Sequence, residues 1–459
     1  MTLLSALNTA GSGVFASRAG VQLTGHNIAN VSTEGFHRRR LGQTPAAIPA
    51  LLGGGVIFDG GTRVDDRLLT GQLFGAKSQS AFADARESQM VRLEGAAHVF
   101  GEGGLAARLD DLFAAFSSLS SSPSDDATRQ RVISAAEAFS QSANQIASDV
   151  EAVAGATDQE ISLLVQEANG EAAAVAALNT QILAAEADGH EASDLRDLRD
   201  GHVKNLVDML GATAFTDGSG HTTVLVGGQA LVQGEIATTL STAPSASYGG
   251  RRAVQLVSSG GSTFDITGVV SGRVGGLVSV RDGDIPDTLA DLDQLVFDVA
   301  QAINTQHRAG FGLDGVSGRD LFATSATASG AAAALSVASG IGTDELAASA
   351  TAGGVPGDGS NAMALANLAS ANVAAGGTRS ASAELSSITG NIGARVSQAS
   401  ADADLSRDSA SALEMLEQSS EGVSLDEEMV RLIQYQRAYQ ASTRVLQVVD
   451  EMLGELMAL

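Results

Sequence analysis

SLDEEMVRLIQYQRAYQASTRVLQVVDEMLGELMAL, residues 424–459, carries apolar side chains at two interleaved heptad positions. Leu432, Tyr439, Leu446 and Leu453 form one, and Tyr435, Ser442, Val449 and Leu456 form the other, with Val445, Met452 and Leu459 widening the stripe. This spacing predicts a helix with a narrow seam for a partner helix. Ser424 is placed to cap it, and Asp426, Glu427 and Glu428 fill the first turn, where the helix dipole favours negative charge.

The opposite end of the chain has the same design. Leu7, Val14, Val21 and Ile28 recur every seven residues, interleaved with Leu3, Ala10, Ser17, Thr24 and Val31. A second seam-bearing helix is expected, stopped by Asn30-Val31-Ser32-Thr33-Glu34-Gly35. Gly11, Gly13 and Gly20 each lower its intrinsic stability by about 1 kcal/mol, so the helix is expected to need a partner.

Between these ends, residues 62–100, 103–121 and 125–186 read as helices. The longest carries Val132, Phe139, Ile146 and Val153 at heptad spacing and resumes in a shifted phase at Ile161, Ala168, Val175 and Ile182. Such a stutter is tolerated in long coiled coils. Ser124 is the expected N-cap, with Asp125 and Asp126 behind it. From Gly211 to about Ser271 the pattern changes to short β-branched runs such as residues 222–226 and 253–257, separated by Gly, Ser and Asp turns. Helix returns near Gly275–Ala309, an irregular stretch with short strands covers 310–357, and helix dominates from Asn361 onward.

The expected fold class is therefore mainly α with an inserted β domain (α+β, multidomain). Residues 1–60 with 405–459 would form a terminal helical assembly domain, and 61–210 with 273–404 a helical bundle. Residues 211–272 would be the inserted β domain at the end far from both termini.

A chain of 459 residues is long enough for two to four compact units. With 4% aromatic residues and no Trp, its cores must be built from Ala, Leu and Val, which suits helices packed at close range. A net charge of −26 removes the electrostatic footprint needed for nucleic acid. The absence of cysteine excludes disulfides, thiolate metal sites and thiol nucleophiles. No signal peptide is expected from the first residues, and no apolar run reaches the ~18 residues of a membrane span.

No catalytic or metal constellation is expected. Asp194, Asp197 and Asp200 with His202 share a helix face, but Arg196 and Arg199 among them point to a solvated helix held by ion pairs. Asp282, Asp284, Asp287 and Asp293 fail the calcium-loop pattern, which needs Gly at its sixth position and Glu at its twelfth. The clusters Gly53-Gly54-Gly55 and Gly101-Glu102-Gly103-Gly104 lack the residues of a phosphate loop and read as hinges. No two histidines sit four apart, and no G-x-S-x-G elbow occurs. The basic run His37-Arg38-Arg39-Arg40 is expected to form salt bridges between subunits.

Asn27-Ile28-Ala29-Asn30-Val31-Ser32-Thr33-Glu34-Gly35-Phe36 resembles the N-terminal signature of flagellar rod, hook and hook-associated proteins, with Phe36 where Tyr is commoner. Residues 423–442, continuing through Val445 and 449–453, are similar to the end of the first hook-associated protein family. The Gln-Arg-Ala-Tyr-Gln-Ala core is shared with hook and rod proteins, and the Leu-Asp-Glu-Glu-Met lead is not. Residues 194–206, 275–282 and 302–311 resemble interior blocks of that family; 211–272 matches only in type.

The resemblance implies a structural subunit, not an enzyme, with no cofactor and no metal. It implies export through the flagellar type III apparatus, with cytoplasmic residence beforehand, and assembly as a ring at the distal end of the hook. The expected partners are further copies of itself, hook protein, the second junction protein (hook-associated protein 3) and an export chaperone; nucleic acid and membrane are not expected. The expected assembly residues are Leu7, Val14, Val21, Ile28, Asn27, Asn30, Gly35 and Phe36, with Leu432, Tyr435, Tyr439, Leu446, Val449 and Leu453. Alternatives are a hook or rod subunit, or an adhesin or enzyme using the β insertion.

Overall fold

The computed structural model describes residues 3–33, 35–45, 55–97, 103–218, 220–258 and 260–458. Leu459 and most of the two glycine clusters read as hinges lie outside the described residues.

Helix α1 (Leu3–Ala29) leads into an antiparallel pair, β1 (Arg39–Pro45) and β2 (Val56–Arg63). Helices α2 (Arg67–Ala96), α3 (Leu105–Ser121), α4 (Asp126–Ala185) and α5 (Ser193–Leu210) follow. At 1.5 Å per residue, α4 is about 90 Å long. Its N-cap is Asp125, whose carboxylate accepts from Thr128 N, rather than the expected Ser124. The carboxylate adds charge complementarity to the positive helix end, which a hydroxyl does not.

Two small sheets come next. β3 (Thr213–Thr216), β4 (Thr222–Val226), β5 (Gln229–Gln233) and β6 (Ile236–Ala237) form one antiparallel sheet in chain order; β7 (Thr239–Pro244), β8 (Arg252–Val257) and β9 (Thr263–Asp265) form the other. The chain enters and leaves this region at one point. Gly211, left-handed at φ 65°, ends α5, and a Cβ there would stand 2.5 Å from Ser271 Cβ, so only glycine fits the closure.

Helix α6 (Gly272–Ser279), a π-helical turn at Val280–Asp284 and α7 (Ile285–Ala309) follow. A mostly irregular stretch then holds β10 (Phe322–Ala323), α8 (Ala331–Ala334), β11 (Ser336–Val337) and α9 (Ser360–Asn367). Long helices α10 (Ala381–Glu421) and α11 (Leu425–Ala458) complete the order. The acids of the rejected calcium loop serve structure: Asp293 accepts from Gly330 N and Ala332 N at the start of α8, and Asp284 and Asp287 pair with Arg395.

Two apolar cores run along α4. The first joins its N-terminal half (Val132, Phe139, Ile146) to α3, α7, α9 and α10. The second joins its C-terminal half (Ile161, Ala168, Val175) to α5, α6 and the inner faces of both sheets. The phase shift read between Val153 and Ile161 falls where α4 passes from one core to the other. A buried hydrogen bond from Thr157 Oγ1 to Gln89 Oε1, 3.2 Å, stands at that crossing. The sheets bury Val224, Val226, Leu231 and Leu256 in the second core, so they pack on the helices and do not form a separate globule.

The block 302–311 is occupied in tying down the irregular stretch. Asn304 Oδ1 accepts from Leu321 N and Phe322 N, and its Nδ2 donates to Phe322 O. His307, wholly buried, donates from Nδ1 to Arg319 O (2.8 Å) and accepts at Nε2 from Ala347 N (3.0 Å), which fixes it as the neutral Nδ1–H tautomer.

Candidate assembly interface

Helices α1 and α11 lie side by side. Small residues on α1 allow the approach: a Cβ on Gly20 would stand 2.5 Å from the Tyr435 ring, and one on Gly13 2.7 Å from Ser442 Oγ. Among the described residues, the buried side chains of α1 are Ala10, Ala16, Ser17, Thr24 and Asn27; on α11 they are Glu428 and Val449. Leu7, Val14, Val21 and Ile28, placed at the centre of the seam from their spacing, are instead half-buried. The interleaved Ala10, Ser17 and Thr24 take the centre because they let the two axes come closer, and the larger side chains flank the contact.

Leu432, Tyr435, Leu446 and Leu453 are half-buried, whereas Tyr439 is 41% exposed. Other apolar side chains face out. Met429, Val430, Ile433, Val448 and Met452 on α11 and Phe15 on α1 are exposed, Phe15 by 72%. A fold that covered these helices completely would leave no such row.

The signature after α1 builds a buried polar junction. Asn27 Nδ2 donates to Arg39 O (2.9 Å) and to Glu428 Oε2 (3.0 Å), while its Oδ1 accepts from Arg39 N (3.2 Å). Arg38 Nε donates to Glu428 Oε1 (2.9 Å) and its Nη2 to Glu427 (2.6 Å). Its backbone is held as well, since Arg38 N donates to Glu421 O at the end of α10 and Arg38 O accepts from Val64 N. Asn30 Nδ2 donates to His26 O, and its Oδ1 accepts from Thr33 Oγ1, closing the helix end. Exposed Gly35 takes φ 74°, and half-buried Phe36 meets the His26 ring edge-on at 5.5 Å under the Arg39 guanidinium at 5.2 Å.

His37, Arg38 and Arg39 therefore pair within the chain, which corrects their expected role between subunits. Arg39 bonds to Asp194, His37 Nδ1 to Asp197 (2.8 Å), and Arg63 to Asp197 and Asp200. Among the four positions of the basic run only Arg40 is exposed. The acidic run 194–200 is held by ion pairs as expected, but its carboxylates pair with the N-terminal basic run and Arg63; Asp194 stays 76% exposed, whereas Arg199 is buried against Asn179 Oδ1 and Gly220 O. The cause in both cases is proximity created by folding, which brings residues 37–39 beside α5, α10 and α11.

Electrostatics reinforce the junction. Burial opposes the charge of Arg38, but hydrogen bonds to Glu427 and Glu428 outweigh it and leave its pKa raised. Its bond to Glu427 holds that carboxyl below the usual range, and Arg39 does the same for Asp194. Glu421 is the exception, pushed up by burial. From the sequence alone Glu428 reads only as a dipole partner, and nothing local singles out Glu421 or Arg63. A basic run followed by no nearby acids was the one available signal that distant carboxylates must be recruited.

Two helices drawn from distant parts of the sequence, packed together beside a long multi-helix body and keeping exposed apolar side chains, are the architecture of a structural protein. Residues 90–322 match the model of the flagellar hook-associated protein FlgK helical domain, and residues 414–459 that of the flagellar basal body rod FlgEFG protein C-terminal region. Flagellar hook-associated protein 1 of Escherichia coli K12 is 30% identical over 331 residues, 70% of this chain and 60% of that protein. The same-named protein of Bacillus subtilis 168 is 25% identical over 98% of this chain and 97% of its own length. The flagellar hook junction protein FlgK from Burkholderia pseudomallei shares the fold at a TM-score of 0.65 and 16% identity, covering 77% of this chain and 100% of that one.

The chain belongs to the flagellar hook-associated protein FlgK family, whose members are structural proteins of the bacterial flagellum. It aligns with about 60% of the length of the enterobacterial relatives.

Proposed function

We propose that this chain forms the junction between flagellar hook and filament, added at the distal end of the hook after export through the type III apparatus. The observation that carries the reading is the exposed apolar row on α11 and α1 beside a seam already closed within the chain. Ordinary domains bury such a row, and a subunit that must dock beside copies of itself cannot. Hook protein below, the second junction protein above, and neighbouring copies in a ring are the partners this surface would meet. An export chaperone would cover it beforehand. The role assigned is structural, with no catalytic step.

The test is complementation of a junction-deficient strain. The full chain restores filaments, whereas a chain truncated at Gly422, lacking α11, leaves bare hooks and releases filament monomer into the medium. Filaments of normal number on cells carrying only the truncated chain would remove the reading. Amide exchange on the monomer addresses the ordering of the ends: protection of α1 and α11 that is lower than that of the cores along α4 and strengthens on addition to hooks is expected.

A further inference from the structure

Where α10 ends, three side chains from two distant parts of the sequence face one another. His37, Glu417 and Glu421 bring one ligand atom each to within 4.8 Å of the other two, the one such group among the described residues. Glu417 and Glu421 lie four residues apart in the last turns of α10, hence on one face, and His37 precedes β1.

Each group is held in a ligand's posture. Glu421 is 1% exposed; its Oε1 accepts from Asp66 N at 2.7 Å, which turns Oε2 toward His37 Nε2 at 3.4 Å. Glu421 Oε2 and Glu417 Oε1 are both buried and both lack a hydrogen-bond partner. His37 Nδ1 is engaged with Asp197 at 2.8 Å, leaving Nε2 to face the carboxylates. A carboxylate behind a histidine whose other nitrogen meets further ligands is the usual outer shell of a metal-bound imidazole.

We propose that His37 Nε2, Glu417 Oε1 and Glu421 Oε2 form a binding site for a divalent transition-metal ion, with zinc as the fitting probe. Bonds of about 2.1 Å in a tetrahedral site put neighbouring ligand atoms about 3.4 Å apart. The His37–Glu421 separation already has that value. One imidazole and two carboxylates favour zinc over calcium or magnesium, which take all-oxygen shells. A dication also answers the local charge: two carboxylates meet at the negative end of α10, where a cation is favoured.

The competing cation is Lys204, whose Nζ stands 3.5 Å from Glu417 Oε1. Its side chain is 22% exposed, so it has a path out to solvent. A bound ion would staple the segment before β1 to the end of α10, next to the turn into α11, and so fix the terminal helix pair against the body of the protein.

The experiment uses the untagged full chain, stripped with chelator and titrated with zinc by calorimetry, with magnesium and calcium in parallel. One zinc per chain is expected, with a rise in melting temperature. Glu417→Gln, which removes only a half-buried ligand, should weaken binding by about tenfold or more, as should His37→Gln. Asp197→Asn should weaken it about tenfold through the imidazole. Lys204→Gln should tighten binding. Absence of saturable zinc binding in both wild type and Lys204→Gln overturns the proposal; so does zinc binding that Glu417→Gln and His37→Gln leave unchanged.

Discussion

Glu428, in the first turn of α11, receives Asn27 Nδ2 at 3.0 Å on one carboxylate oxygen and Arg38 Nε at 2.9 Å on the other. One buried side chain thus joins the last turn of α1, the segment before β1 and the start of α11. Its two donors come from sites about 400 residues upstream, separated from it by 401 and 390 positions.

Removing that carboxylate takes from the Arg38 guanidinium the buried one of its two counter-charges and leaves Glu427, whose side chain is 60% exposed, so the loss approaches without reaching the about 3–5 kcal/mol of a buried pair broken on one side. Glu428→Leu is therefore expected to free the terminal helix pair while sparing the two cores along α4. Limited proteolysis and amide exchange check this: cleavage and exchange should rise in residues 20–40 and 425–440 and stay unchanged in 130–180. Equal loosening throughout the chain would show that the junction is not local to the helix pair.

The existence of the helices could be read from the sequence because periodicity is a local signal, but residues 62–63, read as helix, belong to β2, and the β1–β2 pair was not expected. The register of α1 against α11 could not, since heptad spacing ranks large apolar residues first. At Gly13 and Gly20 it is the absence of a side chain that sets the contact. For the polar junction, local signals showed only half of each pair. His37, Arg38 and Arg39 were visible as charge needing a partner, and Asp194 and Asp197 as acids with arginines beside them. Their joining is a consequence of tertiary folding. The phase shift in α4 was legible at Val153 and Ile161, but its meaning as a handover between two cores required both cores to be seen.

The glycines of α1 offer a substitution whose sign depends on position. Gly25 has nothing within 4 Å of a built Cβ, so Gly25→Ala should gain up to about 1 kcal/mol of helix stability. Gly20→Ala gains the same propensity but drives a methyl against the Tyr435 ring at 2.5 Å, and overpacking costs about 1–3 kcal/mol. The net effect is destabilising. In a Tyr435→Ala background the clash disappears and Gly20→Ala should turn stabilising, which amide exchange of α1 in the four combinations would register. Additive effects across that cycle would mean that the two residues do not touch in solution.

His307 makes the body of the protein sensitive to mild acid. Burial pushes its pKa below the ordinary histidine value, only partly offset by its hydrogen bond to Arg319 O. In the unfolded chain the imidazole titrates near pH 6.5. Below that pH the unfolded state binds a proton that the folded state refuses, so stability is complete above about pH 6.5 and falls as pH drops toward the folded-state value. The slope from this one group approaches about 1.4 kcal/mol per pH unit. Glu421 acts in the opposite sense, since its raised pKa makes the folded state the better proton acceptor at lower pH. The two are separated by taking the difference between wild type and His307→Gln in urea unfolding from pH 7.5 to 5. The variant loses the hydrogen bond from Ala347 N at every pH, a constant offset, whereas the wild-type advantage should shrink steadily below pH 6.5. Parallel curves across that range would mean that His307 takes up its proton without leaving the fold.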